Sequence, residues 1–161
     1  MRPDPQAIAR LRSALEQRPG PLPRAELGVF PTPVTRAAAL SDAAGEDVWI
    51  KREDLSSPLY GGNKVRKLEL LLAGDSRPVV TVGALGSHHV LATAVHAHRV
   101  GRECIAVLVS QPMTEHTRAT YELVRRHCDR LIRVQPSPDS AVEGVATAAR
   151  AVRALLAEGG V

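Results

Sequence analysis

The chain has 161 residues, 44% of them hydrophobic, so it is long enough to form one domain with a buried core. Its net charge of +4 suits an anionic partner. Nucleic acid is not expected to be that partner, because the arginines are scattered along the chain and only 2% of the residues are aromatic.

The first part of the chain predicts one helix, an extended arm, a short strand and a second helix. Apolar residues recur at helical spacing over 5–17, and the proline-rich stretch 18–35 predicts an extended arm. A short strand is predicted over 47–51. After a loop, a helix is expected to begin at Asn63, which is a suitable N-cap residue, and to end near Leu72.

From residue 79 onward, predicted strands and helices alternate. The strands lie at 79–82, 104–110 and 130–135, and the helices at 87–99, at 115–127 and from 140 onward. The second strand is continuously apolar, as a strand buried on both faces would be. In the last helix, Ser140 and Glu143 predict a capping box, and the expected apolar face is Val142, Val145, Ala149, Val152 and Leu156. This order predicts an α/β fold in which a parallel sheet carries helices on both faces.

Lysine occurs only at Lys51, Lys64 and Lys67, and every other basic residue is an arginine. Unlike arginine, lysine can lose its proton and act as an amine. Lys64 lies in the first turn of a predicted helix, where the helix dipole disfavours an ammonium, and Lys67 adds like-charge repulsion. Both effects favour a neutral amine at Lys64, which suits Schiff-base chemistry, and leave Lys67 to bind an anion such as a cofactor phosphate. A solvated helix face is the alternative.

The loop GALGSHH (83–89) follows a predicted strand, at the sheet edge where open α/β folds bind ligands. It matches neither a dinucleotide-binding nor a Walker motif. Ser87 can cap the helix that follows and can also face a ligand at this edge. No metal site is predicted, because no two histidines have the i, i+4 spacing of a shared ion. Partly exposed helix positions are expected for His96, His98, His116 and His127.

Two features predict a cytoplasmic location. The N-terminal stretch has no apolar run of the kind a secretory leader contains, and no segment approaches the length of a membrane span. Cys104 and Cys128 have no CxxC or zinc-binding spacing, so reduced thiols are expected.

The stretch KREDLSSPLYGGNKVRKLELL (51–71), preceded by FPTPV (30–34), resembles the fold-type-II pyridoxal-phosphate enzymes. Within them it is most similar to the 1-aminocyclopropane-1-carboxylate deaminases and D-cysteine desulfhydrases. The resemblance implies a tryptophan-synthase-β-like fold, pyridoxal 5'-phosphate as cofactor and a small amino acid as substrate. The implied products are ammonia and a 2-oxo acid, with sulfide if the substrate is D-cysteine, and the implied enzyme class is a lyase or a hydrolase.

The resemblance also implies roles for individual residues. The lysine of GGNK, here Lys64, would hold the cofactor covalently, with Asn63 beside it and Lys67 near the cofactor phosphate. A later loop would supply Ser87 for proton transfer. The chain departs from the group at Gly86, where glutamine is usual, and at His88, where an asparagine usually contacts the cofactor ring oxygen. These departures bear on the substrate more than on the cofactor.

Enzymes of this group are longer, and their glycine-rich phosphate loop lies in the C-terminal half. The resemblance therefore implies that residues 1–60 are a helix and arm of a large domain and that residues 61–161 are a small α/β domain. The remainder of the large domain would be absent, so the chain would be a truncated reading frame, an incomplete gene product or half of a split protein. The full-length enzyme would be a homodimer. The alternative is a non-catalytic α/β binding or interaction module that retains the motif.

Overall fold

The computed structural model describes residues 5–17, 20–74, 76–135 and 141–157 and has an α/β architecture. In chain order its elements are α1 (Pro5–Glu16), β1 (Val34–Arg36), α2 (Ala38–Ala44), β2 (Trp49–Lys51), α3 (Lys64–Leu71), β3 (Val79–Ala84), α4 (His88–Arg99), β4 (Cys104–Val109), α5 (Glu115–His127), β5 (Arg130–Val134) and α6 (Ala141–Ala157). Within the described residues, no helix combines the length and hydrophobicity needed to cross a membrane.

The main sheet has three parallel strands in the order β3-β4-β5. The central strand β4 is buried from Cys104 to Leu108, as its continuous apolar sequence predicts. Its side chains alternate between two cores: Ala106 and Leu108 pack with α4 and α5, whereas Ile105 and Val107 pack with α6. The prediction of a parallel sheet with helices on both faces is therefore confirmed.

The buried face of α6 differs from the one predicted. Ala148 and Leu155 are buried and Val152 is half-buried, whereas Ala149 and Leu156 are exposed. Most residues of this helix are alanine or valine, so two neighbouring faces of it are similarly apolar. Contact with β4 and β5 determines which of the two faces is buried. The side chains of Val142, Glu143 and Val145, and residue Ser140, lie outside the part of the chain that the structure describes.

Part of the first sixty residues forms a small separate sheet: β2 is the strand predicted over 47–51, whereas β1 and α2 were not predicted. β1 pairs antiparallel with β2, with Thr35 opposite Ile50, and the short helix α2 lies between the two strands. Ser41 holds this unit together, because its hydroxyl donates to the carbonyl of Ala37 and accepts from the amide of Val48. Elements of three and seven residues are too short for hydrophobic periodicity to reveal.

The extended arm is attached to α3 rather than free. Leu27 is buried in a cluster with Val65 and Leu68 of that helix. Main-chain bonds fix the arm at two further points: the amide of Ala25 donates to the carbonyl of Glu69 at 2.8 Å, and the amide of Gly28 donates to the Glu69 carboxylate at 3.2 Å. The arm and α3 therefore share one core.

A second attachment joins the arm to the GGNKVRK segment through Glu53. Arg66 donates to both carboxylate oxygens of Glu53, at 2.7 and 2.8 Å, and Thr32 donates to one of them at 2.8 Å. The Arg66 guanidinium also lies over the Phe30 ring, 4.5 Å from its centroid. Donation from Arg66 and then from Thr32 lowers the pKa of Glu53 from 4.5 to about 2.

This lowered pKa predicts how stability depends on pH. Because the folded state favours the Glu53 carboxylate, its contribution is fully present above about pH 4.5 and is lost as the pH falls toward 2. We expect Glu53→Gln to lower the free energy of unfolding at neutral pH, and the difference from wild type to shrink at about pH 3. Urea unfolding at both pH values measures it.

Asp47→Asn is the matched control, because it removes the exposed ion pair with Arg36 and should change stability little at either pH. A Glu53→Gln effect of the same size at both pH values would contradict the assignment.

Candidate active site

Two helix N-termini meet beside the carboxyl end of β3. The helix α4 follows β3 after three residues, and α3 begins just after the loop that contains Tyr60. Tyr60 joins the two helices: its hydroxyl lies 2.5 Å from Nδ1 of His88, and its carbonyl accepts from Nε2 of His96 at 3.0 Å. His96 is fully buried, so the expectation of a partly exposed position for it is wrong.

Two glycines fix the backbone that places Lys64 at the start of α3. A Cβ at Gly61 would lie 2.1 Å from the carbonyl oxygen of Asp54, and Gly62 has a φ of +115°, where side chains other than glycine are strained. The Gly62 amide lies near the carbonyl of Glu53, at 2.7 Å, and the hydroxyl of Ser56, at 2.9 Å. The close approach at Gly61 and the positive φ of Gly62 therefore require glycine at both positions of the GGNK motif.

Asn63 precedes α3 directly but does not cap it, so the predicted capping role is wrong. Its backbone is already helical, with φ −58° and ψ −17°, and its side chain makes no capping hydrogen bond. A capping residue has an extended backbone that turns its side-chain oxygen toward the helix amides. The Asn63 carboxamide instead lies beside Lys64, with Oδ1 3.5 Å from Nζ.

Lys64 and Lys67 both lie near enough to the start of α4 to act on His89 through their charges. Burial lowers the pKa of His89, and the charges of Lys67 and then Lys64 lower it further. Among the described residues, neither lysine forms an ion pair with a carboxylate. The two ammonium groups therefore provide positive charge that an anion can neutralise. His89 was not among the predicted site residues, although it follows His88 directly.

Ser87 is the N-cap of α4, as predicted. Its backbone is extended, and its hydroxyl oxygen accepts from the amide of Val90 at 3.4 Å. A Cβ at Gly83 would lie 2.7 Å from the Ser87 hydroxyl, so glycine is needed at the end of β3 for this approach. Since the hydroxyl accepts from α4, its own proton remains available as a donor.

His88 is the centre of a chain of three side chains from three elements. Its Nδ1 faces Tyr60, and its Nε2 lies 3.1 Å from Nε2 of His116, at the start of α5. Burial raises the pKa of Tyr60. Sequence reasoning missed both Tyr60 and His116, because each lies 28 residues from His88 in the chain. No group of three or more metal-ligating residues occurs in the described part of the chain.

Gly86 lies against the loop after β4. A Cβ at this position would lie 3.0 Å from the side-chain nitrogen of Gln111 and 3.1 Å from two carbon atoms of Thr117. A longer side chain at position 86 therefore requires Gln111 to move. The side-chain amide of Gln111 thus lies beside position 86, where the enzymes that this chain resembles usually have a glutamine.

The assembled residues fit a phosphorylated cofactor that carries a carbonyl group. Lys64 supplies an amine at a helix N-terminus, and Lys67 supplies a second charge on the same turn. Across from them, Ser87 and His88 offer hydrogen-bonding groups at the N-terminus of α4. The geometry thus combines an anion-binding edge with groups that can hold or move a proton.

Comparisons with known proteins agree with this interpretation. The family model described as "Pyridoxal-phosphate dependent enzyme" matches residues 25–160. The D-cysteine desulfhydrase of Serratia proteamaculans is 41% identical over 98 residues, which cover 58% of this chain and 30% of the relative. The D-cysteine desulfhydrase of Yersinia pestis (strain Pestoides F) is 40% identical over 105 residues, 63% of this chain and 32% of the relative.

A solved structure titled "Crystal Structure Analysis of the ACC deaminase homologue" matches 98% of this chain and 46% of that chain, with a TM-score of 0.67 and 31% sequence identity. The chain thus spans about a third of the length of the curated relatives and less than half of this neighbour. These matches confirm the resemblance and the fold class. Desulfhydrases are lyases, so the expectation of a hydrolase is wrong.

The contacts of His88 predict the tautomers of two histidines. A phenol donates to a neutral imidazole, so Nδ1 of His88 accepts from Tyr60, and its Nε2–H donates to Nε2 of His116. Two-bond ¹H–¹⁵N spectra at alkaline pH should show His88 as the Nε2–H form and His116 as the Nδ1–H form. Tyr60→Phe should reduce that preference at His88 and leave the signals of the distant His127 unchanged. If His88 of the wild type were in the Nδ1–H form, it could not accept from Tyr60, and the assignment of donors and acceptors in this chain of side chains would be refuted.

Proposed function

Because the chain belongs to the pyridoxal-phosphate dependent enzyme family, we propose that it is the cofactor-binding part of a lyase for a small amino acid. The proposed substrate is of the D-cysteine or 1-aminocyclopropane-1-carboxylate type. Ammonia and a 2-oxo acid would be released, with sulfide from D-cysteine. The observation that carries the proposal is the placement of Lys64 at the start of α3, near the start of α4, where Ser87 and His88 lie.

We assign the cofactor contacts as follows. Lys64 would hold pyridoxal phosphate covalently through Nζ, and Lys67 would neutralise its phosphate with the help of the α3 N-terminus. Asn63, whose carboxamide is free of capping, and His88 would contact the ring substituents. When bound, the cofactor withdraws electrons from the substrate and lowers the barrier to bond cleavage at its α-carbon.

The remaining roles concern protons. Ser87 would donate or accept a proton at the substrate carbons, since its hydroxyl proton is not used in capping α4. The Lys64 amine would be the second group that can carry a proton at this site. The Tyr60–His88–His116 chain would fix the orientation of His88 and connect it to exposed His116.

The organisation of the whole enzyme is part of the proposal. Residues 1–60 would contribute to a large domain and residues 61–161 would form the small one, with the attachment of the arm to α3 lying at their boundary. A homodimer in the cytoplasm is the proposed working form. The chain spans about 30% of the length of these relatives. We therefore also propose that residues outside this chain make further contacts with the cofactor.

Covalent labelling tests the assignment of Lys64. After incubation with pyridoxal phosphate and reduction with borohydride, we expect peptide mapping to find the adduct mainly at Lys64, because this amine lies near the α4 N-terminus and has no carboxylate partner among the described residues. Lys51 is the internal control, since its ammonium donates to the carbonyl of Thr32. Lys64→Arg keeps the charge and should remove the adduct.

Equal labelling of all three lysines would refute the proposal and favour the alternative of a non-catalytic binding module. Labelling at Lys67 with Lys64 unmodified would keep a cofactor site but reverse the two roles.

Ser87→Ala tests the proton-transfer role. In a preparation that releases sulfide from D-cysteine, we expect turnover to fall by about a hundredfold, while Lys64 labelling is retained. Thr114→Ala is the matched control, because Thr114 caps α5 through the amide of Thr117 in the same way. Both variants should lose a similar amount of stability. If both lost turnover equally, Ser87 would be only a cap.

A further inference from the structure

Two cysteine side chains pack together at the end of the sheet opposite the candidate active site. Cys104 is the first residue of β4 and is fully buried, and Cys128 is the half-buried residue that ends α5. Cys128 packs against the cluster formed by Cys104 with Ala94 and Ala97 of α4. Both thiols are free. Their proximity comes from the fold, because 24 residues separate them in sequence.

The main chain holds both cysteines in place. The amide of Cys104 donates to Oδ2 of Asp129 at 2.8 Å, and the amide of Asp129 donates to the carbonyl of Cys104 at 3.0 Å. The amide of Cys128 donates to the carbonyl of Val124 at 3.0 Å. His98 reaches the same Asp129 oxygen at 2.8 Å from α4. The two sulfur atoms are therefore attached to backbone that is fixed on both sides.

The two thiols differ in acidity and in exposure. Hydrogen bonding with the Cys104 thiol lowers the pKa of Cys128, while burial and the Asp129 charge oppose that shift. The same hydrogen bond, with burial, raises the pKa of Cys104. Cys128 is also the more exposed of the two. A cleft lined by His98, Arg102 and Asp129 opens at this edge of the sheet, next to Cys128 in the chain.

We propose that Cys104 and Cys128 form an oxidation site that takes hydrogen peroxide and closes as a disulfide. The Cys128 thiolate attacks one peroxide oxygen; an S–O bond forms as the O–O bond breaks, and the hydroxide that leaves is protonated to water. The Cys104 sulfur then attacks the Cys128 sulfur, forming the S–S bond as the S–O bond breaks and a second water leaves. Two thiols lose two hydrogen atoms, and one peroxide becomes two waters.

The order of attack follows from burial. The half-buried Cys128 is the more accessible thiol and has the lowered pKa, so it reacts first, and the buried Cys104 resolves the sulfenic acid. The product would join the start of β4 to the end of α5. Lys64 and Ser87 lie near the other end of the sheet, so cofactor labelling at Lys64 should be unaffected by oxidation.

The test treats the folded chain with hydrogen peroxide and maps peptides without reduction. We expect loss of two hydrogen atoms and a Cys104–Cys128 link, formed about tenfold faster or more than in the urea-unfolded chain. In Cys104→Ser, dimedone should trap a sulfenic acid at Cys128. In Cys128→Ser, Cys104 should stay unmodified, since it is buried. Circular dichroism of both variants checks that they are folded.

Slower disulfide formation in the folded wild type than in the urea-unfolded chain would overturn the proposal. Modification of Cys104 in folded Cys128→Ser at the wild-type rate would overturn the assigned order of attack.

Discussion

The candidate site depends on how α4 holds Tyr60. The tyrosine carbonyl accepts from buried His96, and its hydroxyl contacts His88, about two turns nearer the N-terminus of α4. Because Tyr60 directly precedes Gly61, these two bonds fix where α3 begins relative to α4. Lys64 and Lys67 on one helix and Ser87 and His88 on the other are brought to one place by this contact.

The same constraint explains why the arm belongs with the site. The Glu53 carboxylate binds Arg66, which lies between the two lysines of the motif. The main-chain carbonyl of Glu53 accepts from the amide of Gly62. Both ends of the GGNKVRK segment are thus tied to the preceding loop, and Leu27 adds a hydrophobic contact with α3. Burial of Leu27 excludes water from one side of α3. The ion pair of Glu53 with Arg66 orients the first turn of the same helix.

Sequence patterns predicted the parts of this structure in which one signal is long and strong. The apolar run of β4 predicted the central strand of the sheet. Ser87, a capping residue just after a strand, predicted where α4 begins. Of the small sheet, β2 was predicted as the strand over 47–51, whereas β1, with three residues inside the proline-rich stretch, and its pairing with β2 were not. The Asn63 cap was predicted wrongly, because composition does not show that its backbone is already helical. The contacts of His88 with Tyr60 and His116 are tertiary, so no local pattern contains them.

We propose that the start of α3 and the start of α4 form one binding site for pyridoxal phosphate. An amide chemical-shift titration of the isotopically labelled chain with this cofactor tests that proposal most directly. We expect the largest shifts to fall together at residues 60–67 and 85–90, with smaller ones at the start of α5. Shifts confined to one of these segments, or centred on the arginines of α5 and α6, would contradict it.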